Sequence, residues 1–125
     1  MPDSQKPHRE LVLWQKAVSC VVLVYQATRG FPPAERFGLA GQMRRAAVSI
    51  PSNVAEGAAR RSRKEYLQFL YTARGSLSEL DTQLEIALQL GYVTETERTV
   101  LQERLDEISR MLHGMIMYLA KQRSC

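Results

Sequence analysis

The sequence lacks the motifs by which catalytic and metal-binding proteins are commonly recognised. Its 125 residues include only two histidines, and neither His8 nor His113 has a second ligand residue three or four positions away, as a metal site on a helix needs. No phosphate-binding glycine loop, nucleophile elbow or zinc-ligand spacing occurs. We therefore expect no catalytic residues, no metal and no cofactor.

Cysteines and long apolar runs are also scarce. The two cysteines form no disulfide framework, because Cys20 belongs to an apolar helical pattern and Cys125 is the last residue. The longest apolar run, interrupted only by Ser19, covers nine residues, 17–25, whereas a membrane span needs about 20. The N-terminus has no apolar signal-peptide core. We expect a cytoplasmic protein with no membrane partner.

The sequence contains no strand pattern, but apolar residues recur at helical spacing almost throughout. With 45% hydrophobic and 24% charged residues, the composition is that of one globular domain. A first helix is predicted over residues 10–29, where Gly30 and the two prolines after Phe31 end it. The core stripe predicted for this helix comprises Leu11, Trp14, Val18, Val21, Tyr25 and Thr28.

A proline interrupts the pattern of the second predicted helix. This helix is predicted to start near Pro33, with Glu35 close to the positive end of its dipole. Pro51 removes one helical hydrogen bond, which predicts a kink or a break near residues 47–51. Gly57 is interpreted as the fraying end of the helix.

Two capping boxes mark the remaining helices, Ser62 with Glu65 and Thr94 with Glu97. Each of these helices is predicted to be about 27 residues long, and the short connections favour antiparallel neighbours. The sequence thus predicts an all-α, up-down-up-down four-helix bundle over residues 10–122, preceded by a flexible N-terminal segment 1–9. Gly75, within the third helix, indicates either a close approach of another backbone or a kink.

The first helix is apolar nearly all round, and the fourth has a widened apolar stripe. An outer helix of a single bundle normally has one apolar and one polar face, so this pattern favours self-association. The alternative is a wide core stripe with scattered exposed aliphatic residues. The predicted interface consists of Val12, Leu13, Val22, Leu23 and Met117.

Positive charge is concentrated in the middle of the chain. Between residues 36 and 74 eight basic residues face two acids, giving +6 in a chain whose net charge is +4. Such polarisation favours an anionic partner, RNA or DNA, bound through its phosphates. The predicted contacts are Arg44, Arg45, Arg60, Arg61, Arg63, Lys64 and Arg74. The alternatives are a solvated face, or ion pairs between subunits with the acidic surface of the fourth helix.

Two longer segments, LAGQMRRAAVSIPSNVAEG at residues 39–57 and GSLSEL at residues 75–80, resemble the bacterial four-helix bundle family named for open reading frames in intervening sequences of 23S ribosomal RNA genes. The likeness covers about residues 10–120. The resemblance implies an antiparallel bundle that assembles as a homopentamer, with no enzymatic activity. It also implies kinship with the accessory variability protein of diversity-generating retroelements, which binds nucleic acid and a reverse transcriptase.

Two functions from different classes therefore remain open at the level of the sequence. One is an oligomer that binds nucleic acid through the basic residues. The other is a scaffold or accessory subunit for another protein, such as a polymerase, in which the arginines contact subunits or the partner. Asn53 and Glu56 are interpreted as partners of freed backbone groups or of a neighbouring arginine rather than as catalytic groups.

Overall fold

The computed structural model describes residues 6–122, which form four α-helices and no strand. The helices are α1 (Val12–Thr28), α2 (Leu39–Ala58), α3 (Arg63–Gln89) and α4 (Glu95–Gln122). The all-α prediction is confirmed, and α3 and α4 have 27 and 28 residues. The predicted terminal thiol at Cys125 lies outside the described residues.

Two short 3-10 helices precede α1 and α2. The first, Pro7–Glu10, contacts α1 and α2. It overlaps the segment 1–9 for which we expect flexibility, and residues 1–5 of that segment lie outside the described residues. The second, Pro33–Glu35, is separate from α2, which begins only at Leu39. The predicted start of the second helix at Pro33 is therefore too early.

The four helices pack in a ring in which each lies beside its two neighbours, and among the described residues no diagonal pair of helices brings its Cα atoms within 8 Å. Two contacts fix the antiparallel order of α3 and α4. Arg63, at the start of α3, donates to the carbonyl oxygen of Gln122 at the end of α4. Arg98, near the start of α4, pairs with Glu85 near the end of α3 at 2.7 Å. The up-down-up-down bundle is confirmed.

Side-chain caps fix three helix starts. The Ser62 hydroxyl accepts from the Glu65 N–H at 3.1 Å, and the Thr94 hydroxyl accepts from the Glu97 N–H at 3.1 Å while Glu97 accepts from the Thr94 N–H at 2.8 Å. The predicted capping box at Thr94 is thus confirmed in both halves. At Ser62 the cap is confirmed, but the Glu65 carboxylate accepts from the Ser62 hydroxyl at 3.3 Å and not from its N–H. At α2, a carboxylate oxygen of Glu35 accepts from the N–H of Leu39 at 3.0 Å.

Helix α2 continues without a break through Pro51, whose side chain is buried. Gly57 lies one residue before the end of α2 at Ala58, as predicted, but it does not fray, because it is buried against α3. A Cβ atom at Gly57 would lie 2.8 Å from Tyr66 Cδ1 and 3.0 Å from Phe69 Cβ. Glycine at this position therefore permits the close packing of α2 on α3.

The core face of α1 differs from the predicted stripe. The buried residues of α1 are Leu13, Ala17, Cys20, Val24 and Thr28, so only Thr28 of the predicted set is fully buried. Because α1 is apolar nearly all round, periodicity alone does not select its inner face. The observed face carries the small residues Ala17 and Cys20, which let the neighbouring helices approach. Trp14 instead packs at the edge of the core, half-buried.

Gly75 and Ser76 have different surroundings. An added Cβ at Gly75 would meet no atom within 4 Å, so the predicted close approach does not occur at this glycine within the subunit. Ser76 is half-buried, and its hydroxyl lies 2.8 Å from the hydroxyl of Ser49 on α2. The contact between α2 and α3 at this level is therefore made by the serine and not by the glycine.

Candidate nucleic-acid interface

Basic side chains gather at the end of the bundle where α2 ends and α3 begins. Antiparallel packing brings the start of α1, the end of α2, the start of α3 and the end of α4 to this end. Among residues 6–122, seven basic residues and three acidic ones lie here, a net charge of +4. We call this surface the basic end; its basic residues are Lys6, Arg9, Arg60, Arg61, Arg63, Lys64 and Lys121.

The fold positions two of these arginines individually. The Arg60 guanidinium lies 4.8 Å from the ring centre of Phe69 and 3.6 Å from a carboxylate oxygen of Glu56. Arg63 is held by its contact with the Gln122 carbonyl oxygen. Both side chains are exposed, so such weak surface contacts orient the guanidinium groups and leave part of each open to solvent.

Arg61 and Lys64 are exposed and have no hydrogen-bond or ion-pair partner among residues 6–122. Both stand within the turn and first residues of α3, beside the two positioned arginines. Because no carboxylate neutralises them, these cations attract an anionic partner more strongly than paired ones would. These two side chains are therefore the part of the basic end best suited to contact phosphate.

The predicted contacts do not form one patch, because Arg44 and Arg45 lie elsewhere. Fifteen residues separate Arg45 from Arg60, or about 22 Å at 1.5 Å per residue. The Arg44 Nε donates to the Thr28 hydroxyl at 2.8 Å, and its guanidinium lies 4.7 Å from the ring centre of Tyr25. Both arginines line an open cleft between α1 and α2, together with Arg36.

Arg74 belongs to a third surface. It lies over the ring of Tyr71 at 5.0 Å and lines a groove between α3 and α4 that also contains Asp81 and Asp106. Two carboxylates beside one guanidinium give this groove little attraction for phosphate. Tyr66, near the start of α3, packs against the core and is not free to stack on a base, and burial raises the pKa of its hydroxyl.

Sequence reasoning missed three members of the basic end, Lys6, Arg9 and Lys121. They come from the two ends of the chain, outside the charge-rich segment 36–74. The signal that finds them is the topology, since in an up-down-up-down bundle both termini meet the connection between the second and third helices. Once that order is predicted, terminal charges belong to the same surface.

The SIPSNVAEG segment has a structural role in this bundle. The Asn53 side-chain amide donates to the Ser49 carbonyl oxygen at 2.8 Å and to the Ser49 hydroxyl at 2.9 Å. Ser49 in turn meets Ser76 of α3. The amide thus satisfies a backbone carbonyl two residues before Pro51, and Glu56 pairs with Arg60. Glu56 therefore has the arginine partner that the sequence analysis expects. The partner of Asn53 is a different carbonyl from the one that Pro51 frees, which is that of Ala47.

The five predicted interface residues divide into two groups. Val12, Val22 and Met117 are about half exposed, at 51%, 51% and 48%. Leu13 is 4% exposed and belongs to the core of the bundle, so its assignment to an interface is wrong. Leu23 is partly buried against the core. Helix α1 therefore offers far less exposed apolar surface than its sequence indicates.

No group of three or more histidine, cysteine or acidic residues suited to a metal occurs within residues 6–122. Over the same part of the chain, no helix is both long and apolar enough to cross a membrane. Cys20 is a free buried thiol, and burial raises its pKa to about 11. A thiol with so high a pKa is a poor nucleophile at neutral pH.

Fold and surface together define a small antiparallel four-helix bundle with a basic surface at one end. The family model of the 23S rRNA-intervening sequence proteins matches residues 9–114. The chain belongs to this family.

A solved structure has the same fold, that of a protein of unknown function from the S23 ribosomal protein family of Bacteroides thetaiotaomicron. The TM-score is 0.79 at 21% sequence identity, and the alignment covers 85% of this chain and 96% of that one. At this identity the likeness concerns the fold. A comparison with curated proteins finds no match.

Proposed function

We propose that this protein is a non-enzymatic, self-associating bundle that binds the phosphate backbone of RNA or DNA through its basic end. The observation that carries the proposal is the pairing state of the cations there. Arg61 and Lys64 are exposed and unpaired within residues 6–122, and Arg60 and Arg63 are oriented beside them. A surface of this kind contacts phosphates without reading base sequence.

The proposal of self-association is supported by apolar side chains left on the outside of the bundle. Val12 and Val22 lie on the outer side of α1, and Met117 and Tyr118 near the end of α4, each about half exposed. Apolar side chains left exposed on the outside of a folded domain are candidates for contact with another copy. In a closed oligomer the basic end repeats once per subunit, which raises the effective affinity for a long polyanion.

The proposal is tested by fluorescence anisotropy with a labelled RNA stem-loop at about 50 mM salt, where phosphate contacts are strong. The test variant is Arg61→Glu combined with Lys64→Glu. The matched control, Arg104→Glu with Arg110→Glu, makes the same charge change on α4, where both arginines are exposed.

We expect the Arg61/Lys64 variant to lose about tenfold or more in affinity, because two phosphate contacts are replaced by repulsion. The Arg104/Arg110 control should stay within about twofold of the wild type. Equal losses in both variants would show only a dependence on net charge, and no binding by the wild type would reject the nucleic-acid proposal. A partner protein captured equally before and after nuclease treatment would favour the scaffold function instead.

A further inference from the structure

An open cleft of about 540 Å³ lies between α1 and α2, far from the basic end. Three arginines line it, Arg36, Arg44 and Arg45, and no carboxylate is among its lining residues. The nearest acid in sequence, Glu35, is occupied by Leu39 and Tyr92. The cleft therefore carries three positive charges that no lining group neutralises.

One of these guanidinium groups is held in place. Arg44 uses its Nε to donate to Thr28 and lies over the ring of Tyr25. No other hydrogen bond of Arg44 occurs among residues 6–122, so its two terminal nitrogens are available to a ligand. A guanidinium fixed in this way presents two N–H donors in the geometry that suits a phosphate.

An aromatic ring stands at the rim of the same cleft. Phe37 is 84% exposed, although phenylalanine is usually buried, and the Arg36 guanidinium lies 5.4 Å from its ring centre. Val48, on the cleft wall, is 40% exposed. An exposed ring beside several guanidinium groups is the arrangement with which proteins stack an unpaired base and hold its phosphate.

We propose that this cleft binds a single-stranded segment of nucleic acid, with one unstacked base on Phe37 and an adjacent phosphate on Arg44 and Arg45. This inference rests on the proposed function and divides it between two surfaces. The basic end contacts phosphates of any strand, and the cleft, about 22 Å away along α2, requires a base that is free to leave its stack. A duplex therefore binds only to the basic end, because its bases are paired and cannot enter the cleft.

The test uses the full-length protein and two labelled probes, a single-stranded oligouridine and an RNA hairpin whose stem is closed by a non-nucleotide linker, so that every base of the hairpin is paired. The variants are Phe37→Leu, which keeps an apolar side chain but removes the ring, and Phe37→Trp, which keeps a ring. Because Phe37 is 84% exposed, neither change disturbs the core. Circular dichroism and light scattering of each variant accompany the binding measurements.

We expect Phe37→Leu to weaken oligouridine binding about tenfold, while Phe37→Trp binds like the wild type and hairpin affinity stays within about twofold for both. Arg45→Gln should likewise weaken oligouridine more than hairpin. The inference is overturned if Phe37→Leu and Phe37→Trp bind oligouridine with the same affinity. It is also overturned if Phe37→Leu lowers the oligomer mass, because the cleft would then bind a second copy of the chain.

The two proposals fail separately. Loss of hairpin binding in the Arg61/Lys64 variant, combined with no effect of Phe37→Leu on oligouridine, would reject the cleft and keep the basic end. Failure of the wild type to bind either probe would reject both.

Discussion

At the residue scale, two helical glycines have opposite surroundings. Gly57 is buried where Tyr66 and Phe69 cross α2, whereas Gly75 is exposed with open space around it. Glycine in a helix interior costs about 0.5–1 kcal/mol relative to alanine. Only at Gly57 does the packing of the subunit explain why that cost is accepted.

Replacing each glycine by alanine should therefore have opposite effects. Gly57→Ala should destabilise the bundle by about 1–3 kcal/mol, because the new methyl group forces Tyr66 and Phe69 apart. Gly75→Ala should stabilise it by about 0.5–1 kcal/mol. Urea unfolding followed by circular dichroism measures both. A destabilising Gly75→Ala would show that another chain packs against Gly75.

Glu35 joins two connections at the end of the bundle opposite the basic end. Its carboxylate accepts from the Leu39 N–H and, at 2.9 Å, from the hydroxyl of Tyr92. These hydrogen bonds favour the charged form and lower the pKa of Glu35 from its ordinary value of 4.5. The charged carboxylate therefore contributes to the stability of the fold. This contribution is complete above the ordinary pKa of 4.5 and is lost as the pH falls through the lowered pKa.

Glu35→Gln should therefore be less stable than the wild type near pH 7, where only the wild type carries the charge. As the pH falls below the lowered pKa, Glu35 is protonated and the two proteins should become equally stable. Urea unfolding of both proteins across the acid range checks this convergence. A stability difference that does not change with pH would contradict the proposed role of the carboxylate charge.

At the element scale, helix starts and lengths follow from the sequence because their determinants are local. Ser62 and Thr94 cap α3 and α4 through residues only three positions away. The inner face of α1 depends on its neighbours, and its apolar residues point in nearly every direction. The buried face is the one that carries the small residues Ala17 and Cys20. The spacing of apolar residues along the sequence does not reveal this preference, because it depends on how closely the neighbouring helices pack.

The candidate site was predictable in part for the same reason. Four of its basic residues lie within five positions of one another and therefore flank the same turn between α2 and α3, namely Arg60, Arg61, Arg63 and Lys64. Arg45 lies in the same charge-rich segment but about 22 Å along the helix. Its partners in the cleft come from the end of α1 and from the connection before α2, so only the packing of these elements reveals the cleft.

The hydrogen bond between Ser49 on α2 and Ser76 on α3 allows the structural role of the SIPSNVAEG segment to be tested by mutation. Ser49 and Ser76 should couple by about 0.5–1.5 kcal/mol in a double-mutant cycle with alanine, because removing the Ser49 hydroxyl leaves the half-buried Ser76 hydroxyl without this partner. When Ser76 is replaced, the Ser49 hydroxyl keeps its hydrogen bond from Asn53. Ser52, which is exposed on the same helix, provides the control. Ser52→Ala and Ser76→Ala should be additive, and additivity of Ser49 with Ser76 would contradict the role.

At the scale of the whole molecule, the proposed self-association now depends on few residues. We expect light scattering at micromolar concentration to give a mass that is a multiple of 14.2 kDa. Val12→Asp with Val22→Asp should lower that mass without loss of helix signal, because both side chains are about half exposed. Leu13→Asp should instead unfold the chain, because Leu13 is buried. A wild-type mass of 14.2 kDa would contradict self-association.

The central claim is that the basic end holds the nucleic acid. The salt dependence of binding tests this claim most directly. Each phosphate neutralised on duplex nucleic acid contributes about 0.9 to the slope of log affinity against log salt. If Arg61 and Lys64 each contact one phosphate, replacing both by glutamine should reduce the slope for a duplex probe by about 1.8 per bound subunit. An unchanged slope would show that the basic end does not hold the nucleic acid.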